Sequence, residues 1–351
     1  IPDGHIFVNV GLLLFARDGD EISAVIAHEM GHAQLRHIPE NLETQTRITA
    51  ATILGVLAGT VLSSRNPEAG AAMIFSSLGG GENMRLAYSR QHEYAADEFG
   101  AKLLAASGID PSAMARFLVR LNTMSGPSGA PEYLLTHPFT QNRIALIGKD
   151  PAQPRPDASF WTLQAAVCGL LLPPQEAEMR MSALPEPYRS LSGGLLKTRS
   201  GDHVGALAML EKVDLDIARA YSGLNLHALG RSEQAYPLLS AYARSARTKN
   251  ALAELLMERG EYTEAIAAIE PYRGQNPRVD YQLGVLYEKA SRKALSHASF
   301  ARYFMRSGNA KAALYHLEAA LALQSQLPDD IAQELKRMKE DILKAQRPQK
   351  G

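Results

Sequence analysis

The 351 residues, 46% of them hydrophobic and 21% charged, are enough for about two domains. The 37 Lys and Arg are matched by 37 Asp and Glu with no run of like charge, which removes the electrostatic footprint of a duplex nucleic-acid binder. One cysteine, Cys168, excludes an intrachain disulfide and any multi-cysteine zinc or iron–sulfur site, so a metal would have to be held by His and carboxylates.

Ile1 opens directly into the alternating stretch Ile6, Phe7, Val8, Asn9, Val10, with no initiator Met and no apolar leader ahead of it, as expected of a chain whose signal peptide is absent from the sequence given. Residues His5 to Val10 are expected to form a short strand. Asn9 and His5 suit it to a sheet edge, where it would pair with an extended substrate backbone. A helix is predicted from about Asp20 to His37, capped by Asp18 or Asp20 and stopped by Pro39. The apolar run Ile48 to Leu62, 15 residues long, is shorter than the roughly 18 to 20 that a spanning helix needs and reads as a buried core helix. Ala71 to Leu78 is also apolar, so attachment to a membrane through Ile48 to Ile74 stays open as an alternative. Gly79, Gly80 and Gly81 are expected to form a flexible loop before a helix from about Asn83 to Ala106. Asp110 and Pro111 start another helix that stops near Ser125. The loop Gly126 to Pro131 then delivers Thr136, His137 and Pro138 to the start of a further helix. The Gly79–Gly81 loop and the one from Ser125 to Pro131 are candidate lids over a cleft, ordinary connections being the alternative.

Three prolines in six residues, Pro151, Pro154 and Pro156, predict a seam. The expected organisation is a first domain over residues 1–150, a linker over 151–157 and a helical domain over 158–347. In the latter, a Gly is followed five places later by an Ala at Gly201 and Ala206, Gly230 and Ala235, Gly260 and Ala265, and Gly308 and Ala313. The Gly turns the chain between antiparallel helices and the Ala lets the second helix approach the first. This pattern resembles tetratricopeptide repeats, although the spacing of 29 and 30 residues between the first three glycines is shorter than the usual ~34. An irregular helical bundle is the alternative.

The predicted helix after Asp20 carries His28-Glu29-Met30-Gly31-His32. Histidines four apart lie on one helical face, so both imidazoles can bind one zinc while Glu29 points to the side where an attacking water would sit. Two ordinary surface histidines are the competing reading, disfavoured because Ile22, Val25 and Ile26 bury this helix and buried histidines need partners. A third ligand is still required. His37 lacks the Gly-containing spacing that would turn it back, and reads as a helix C-terminal histidine facing the dipole. Glu93 is the better candidate: it shares a helical face with Asp97, so one carboxylate can bind metal while the other accepts a proton from a ligand histidine. Alone, the two would be a solvated pair. His92 is about 100° around the helix from Glu93, away from the site.

The combination of His-Glu-Met-Gly-His, Glu93-x-x-x-Asp97 about sixty residues on, Thr136-His137-Pro138, and Arg143-Ile144 resembles the M48 family of zinc metallopeptidases, in the gluzincin group. With the repeats appended, the chain is most like that family's periplasmic branch, in which a peptidase domain is fused to tetratricopeptide repeats. The implied fold is mainly α: a gluzincin-like peptidase domain with a small β-sheet edge, then an all-α repeat array. The resemblance implies one zinc held by His28, His32 and Glu93, with Glu29 as general base for peptide-bond hydrolysis. His137 and Arg143 are then placed to stabilise the oxyanion. By resemblance, His137 could instead cap the zinc as a fourth ligand and keep the enzyme latent; an ordinary loop histidine is the remaining reading. Implied partners are unfolded or misassembled proteins and the assembly machinery of outer-membrane barrels, in the periplasm of a Gram-negative bacterium. A repeat-based chaperone or adaptor with a latent or structural zinc site is the alternative class.

Overall fold

A computed structural model describes residues 6–63, 67–123, 137, 142–143 and 153–345. His5, the segment from Ser125 to Thr136, Pro138, Ile144 and Pro151 lie outside the described residues. The chain divides into two compact units, Ile1–Val167 and Cys168–Gly351.

In the first unit, α1 (Val10–Phe15), α2 (Gly19–Gln34), α3 (His37–Ser63), α4 (Pro67–Ala106) and α5 (Ser112–Thr123) are followed by α6 (Ala158–Leu171), whose residues up to Val167 belong to this unit. The expected edge strand is not there. Residues 6–9 have no regular structure, and the Asn9 side chain accepts a hydrogen bond from the Gly11 amide and caps α1. Asn is a stronger helix cap than strand residue, which is why the alternating apolar pattern misled.

The zinc-type helix α2 starts at Asp18, whose Oδ1 accepts from the Glu21 amide at 2.9 Å. Arg116 and Arg120 of α5 clamp this end. Arg120 reaches Oε1 and Oε2 of Glu21 at 2.8 and 2.6 Å, while Arg116 reaches Asp18 at 2.7 Å and Glu21 at 3.0 Å. Ala24, Val25 and Ala27 pack on Leu104, Met114, Phe117 and Leu118 in the core of the unit. Phe160 packs with Ala16 and Ile22, and Gln164 donates to the Leu13 carbonyl, so the start of α6 is part of this unit beyond the proline seam.

Two expectations fail along α3 and α4. Gly79, Gly80 and Gly81 form no loop; α4 is continuous through them. Glycine propensity is a weak prior that packing overrides, and here α4 lies against α3, with Gly55 so close to Ser77 that a Cβ would overlap it. The apolar run on α3 is not a buried core helix either. Ile53, Leu54 and Leu57 are exposed, Leu54 by 67%, as are Met73, Phe75 and Leu78 of α4. Thr52, Gly55, Val56, Ile74 and Ser77 are among the half-buried residues of this pair, and Gly55 meets Ser77 where the helices approach. No helix among the described residues is long and apolar enough to cross a membrane.

The second unit is a succession of antiparallel helices: α7 (Pro174–Met181), α8 (Tyr188–Ser200), α9 (His203–Leu210), α10 (Asp216–Ala228), α11 (Ser232–Tyr242), α12 (Ala246–Glu258), α13 (Tyr262–Ile269), α14 (Pro277–Lys289), α15 (Lys293–Arg306), α16 (Ala310–Ala322) and α17 (Asp329–Ala345). Gly201, Gly230 and Gly260 take φ of 84°, 73° and 77°, the left-handed turn expected of them, and Ala206, Ala235 and Ala265 are fully buried. The turn inside the fourth pair, α14–α15, is made by Ser291 at φ 58°. Ser296 then takes the place of the buried Ala, its hydroxyl donating to the Gly284 carbonyl at 2.8 Å. Gly308, at φ 74°, makes the same left-handed turn one connection later, between α15 and α16, and Ala313 is fully buried as expected. The pairs also share a close crossing: a Cβ on Gly194, Gly223 or Gly284 would collide with Leu210, Leu239 or Phe300, each 16 residues on.

Candidate metal centre

Helices α2 and α4 supply three of the four candidate ligands, and small residues let the two helices approach. A Cβ on Gly31 would stand 3.0 Å from Cα and O of Ala96, and one on Gly100 would stand 3.2 Å from the His28 amide nitrogen. Gly31 is thus part of the site's construction, lying between the two histidines of its own motif.

The structure brings together His28, His32, Glu93 and His137, whose ligand atoms all lie within 4.8 Å of one another. Nε2 of His28 is 3.1 Å from Nε2 of His32 and 3.4 Å from Oε2 of Glu93. Nε2 of His32 is 3.3 Å from Oε1 of Glu93. Nδ1 of His137 is 3.3 Å from Nε2 of His28 and 3.1 Å from Oε1 of Glu93. A tetrahedral zinc with nitrogen and oxygen ligands at about 2.0–2.1 Å fixes its ligand–ligand edges at about 3.3 Å, so these residues fit such an ion. Three imidazole nitrogens and a carboxylate aimed at one point are also the donor set zinc prefers.

Behind the ligands stands a buried carboxylate–guanidinium pair. Oδ1 of Asp97 is 2.9 Å from Nδ1 of His28. Arg143 is fully buried; its Nε and Nη2 donate to Oδ2 and Oδ1 of Asp97 at 2.6 and 2.9 Å, and its Nη1 lies 3.1 Å from Oε2 of Glu93. The guanidinium is therefore committed to two carboxylates, and it is not the free oxyanion donor that the sequence suggested. Glu29, with a partly exposed side chain, points towards His137, Oε1 lying 3.4 Å from Nε2. His137 thus touches both the ligand cluster and Glu29.

The electrostatics follow from this packing. Burial raises Glu93, but hydrogen bonds from His137, His28 and His32 outweigh it and hold the carboxyl well below the usual carboxylate range. Burial likewise raises Asp97, and Arg143 with His28 brings it below its ordinary value. For His28, burial favours the neutral ring, yet Asp97 and Glu93 overcome it and push the metal-free imidazole up to about 8.

His37 departs from expectation. It is not the C-terminal histidine of α2: that helix ends at Gln34, Arg36 turns the chain at φ 57°, and His37 begins α3. Its buried ring places Nδ1 3.0 Å from Nδ1 of His32 and lies flat on the buried ring of His92, centroids 4.0 Å apart and planes 4° apart. Helical spacing alone put His92 outside the ligand set, and it is outside, but a reversal of chain direction at Arg36 makes it a neighbour of the site. No sequence spacing announces that turn, because Arg is an unfavourable residue for positive φ.

Residues 1–149 match the model of the family described as Peptidase family M48. The chain is 33% identical over 159 residues to a beta-barrel assembly-enhancing protease of Yersinia pestis, covering 44% of this chain and 33% of the relative. It is 31% identical over 173 residues to the beta-barrel assembly-enhancing protease of Escherichia coli (strain K12), covering 48% and 36%. The mitochondrial metalloendopeptidase OMA1 of Arabidopsis thaliana is 32% identical over 149 residues, covering 42% and 28%. The matched part of the chain spans about a third of the length of these curated relatives.

Proposed function

From the premise that the N-terminal part of this chain is an M48 peptidase domain, we propose that the protein is a zinc-dependent endopeptidase held in a closed state by His137. The observation that carries this reading is the convergence of His28, His32, Glu93 and His137 at tetrahedral spacing, with Glu29 beside them. When bound, zinc would polarise the scissile carbonyl and make a water nucleophilic near neutral pH. Glu29 accepts the proton of the attacking water and returns it to the leaving amine. Asp97 holds the His28 ring by its far nitrogen, and Arg143 pairs with Asp97 and reaches Glu93. A catalytic zinc site keeps one position open, whereas four protein ligands close it. His137 must therefore swing away before substrate and water can enter, releasing Glu29 in the same movement.

The similarity to beta-barrel assembly-enhancing proteases supports clients among unfolded or misassembled outer-membrane proteins in the periplasm, with the second unit, read as tetratricopeptide-type repeats, binding those clients or the assembly machinery. The closed ligand set favours a second reading, a repeat-based chaperone or adaptor in which the zinc stays capped. Zinc analysis joined to casein cleavage separates the two. The endopeptidase reading expects about one zinc per chain, cleavage abolished in Glu29→Gln with zinc retained, and faster cleavage in His137→Ala. Zinc without cleavage in the parent and both variants leaves the scaffold reading, and cleavage by Glu29→Gln at the parental rate overturns the mechanism.

A further inference from the structure

The two histidines that α2 turns to the cluster, His28 and His32, each have the far ring nitrogen met from behind, but by different chemistry. For His28 the partner is a carboxylate, Asp97 Oδ1 at 2.9 Å; for His32 it is another imidazole, His37 Nδ1 at 3.0 Å. The geometry points to His37, backed by the stacked ring of His92, as the positioning residue that orients His32 for the metal; this rests on the zinc reading above.

The bond order of the rings fixes the direction of this contact. His32 turns Nε2 to the cluster, 3.1 Å from His28 Nε2 and 3.3 Å from Glu93, so as a neutral ligand it carries its proton on Nδ1. That proton needs an acceptor, and Nδ1 of His37 stands in place, which puts the His37 proton on its own Nε2. The two rings meet at 78°, edge to face, so rotating His37 would move its lone pair off the His32 N–H. His92 prevents that rotation: its ring is parallel to His37 at 4.0 Å, and both are buried. His92 is also the residue before Glu93. One turn of α4 therefore supplies a metal ligand and the flat surface that fixes the partner of another ligand. Partners of this kind tune metal affinity by about 10- to 100-fold.

The test measures zinc affinity of the purified full chain by competition with a chromophoric chelator, alongside the thermal midpoint of the metal-free protein. Asn places an amide oxygen where His carries Nδ1, so His37→Asn is expected to bind zinc within about threefold of the parent, whereas His37→Phe, which keeps the stack and cannot accept, should weaken it by about 10- to 100-fold. His92→Phe retains the flat surface and should stay close to the parent. Equal zinc affinity in His37→Phe and the parent overturns the inference, as does equal weakening in His37→Asn and His37→Phe. Should His37→Phe fail to fold, His37→Leu replaces it, with the same loss expected relative to His37→Asn. A parent chain that binds no zinc defeats the zinc reading itself, while a zinc-binding parent with indifferent His37 variants defeats only this inference.

Discussion

The two units solve opposite packing problems. In the first, the buried residues that matter are polar: His28, Glu93, Asp97 and Arg143 are all removed from water, and each is tolerable only because the others surround it. In the second, the interior is a series of apolar layers, Leu252, Leu255, Ile269, Leu283 and Leu286 among them, held at regular spacing by left-handed turns and glycine crossings. A repeat distributes its stability over many similar contacts. A polar cluster concentrates it in a few, and so depends on every member being present.

That contrast sets the order of effects. The largest is expected from Arg143→Met, which strands Asp97 and Glu93 as buried charges without their guanidinium; denaturant unfolding of the metal-free chain should show a loss of about 3–5 kcal/mol. A change below 1 kcal/mol would mean that the carboxylates have another source of compensation. Next comes Gly31→Ala, whose Cβ would press on the Ala96 backbone at 3.0 Å. Overpacking of this kind costs about 1–3 kcal/mol, and it should also weaken zinc binding by forcing α2 from α4. Stability lost with zinc affinity unchanged would show that the helices shift without disturbing the ligands.

The repeat unit should respond more mildly. Gly260→Ala places a Cβ at φ 77° and should cost about 1–2 kcal/mol, whereas Ser291→Gly relieves φ 58° and should stabilise by up to about 1 kcal/mol. A destabilising Ser291→Gly would mean that the serine side chain does more at that turn than occupy it.

A further effect is in pH. The metal-free pKa of His28, about 8, lies above the 6.5 of an unfolded histidine, so the stability it contributes is fully present below pH 6.5 and is lost as pH rises to 8. The metal-free chain should therefore lose part of its thermal stability across that interval, while zinc affinity, which needs the neutral ring, rises across it. His227 of the second unit, raised mainly by its hydrogen bond to Glu254, has the same sign without any link to zinc. A His227→Gln variant separates the two contributions in thermal melts at several pH values: the drop between pH 6.5 and 8 persists in that variant if His28 causes it.

How much of this is legible in the sequence follows the range of each interaction. The four-residue spacing of His28 and His32, the shared face of Glu93 and Asp97, and the first three repeat glycines are local regularities, set by 3.6 residues per turn or by the need for positive φ. Asp18 at the start of α2 is local in the same way. Arg143 was singled out from the sequence, but its role was not, because only the fold shows that Asp97 takes its guanidinium. The contact of His37 with His32 depends on a turn at Arg36, and the continuity of α4 through three glycines depends on α3. Ser291 escaped notice because a serine in a left-handed turn has no local signature. Exposure of Leu54 and Phe75 departs from the usual rule, and an apolar run in the sequence does not show which of its residues a neighbouring helix will cover.

Zinc K-edge absorption on the purified chain tests the central claim most directly, because it counts the atoms around the ion without reference to activity. The account predicts four nitrogen or oxygen neighbours at about 2.0–2.1 Å with the multiple scattering of three imidazoles, falling to two imidazoles in His137→Ala with the zinc retained. A shell without imidazole scattering, or one that His137→Ala leaves unchanged, would contradict it.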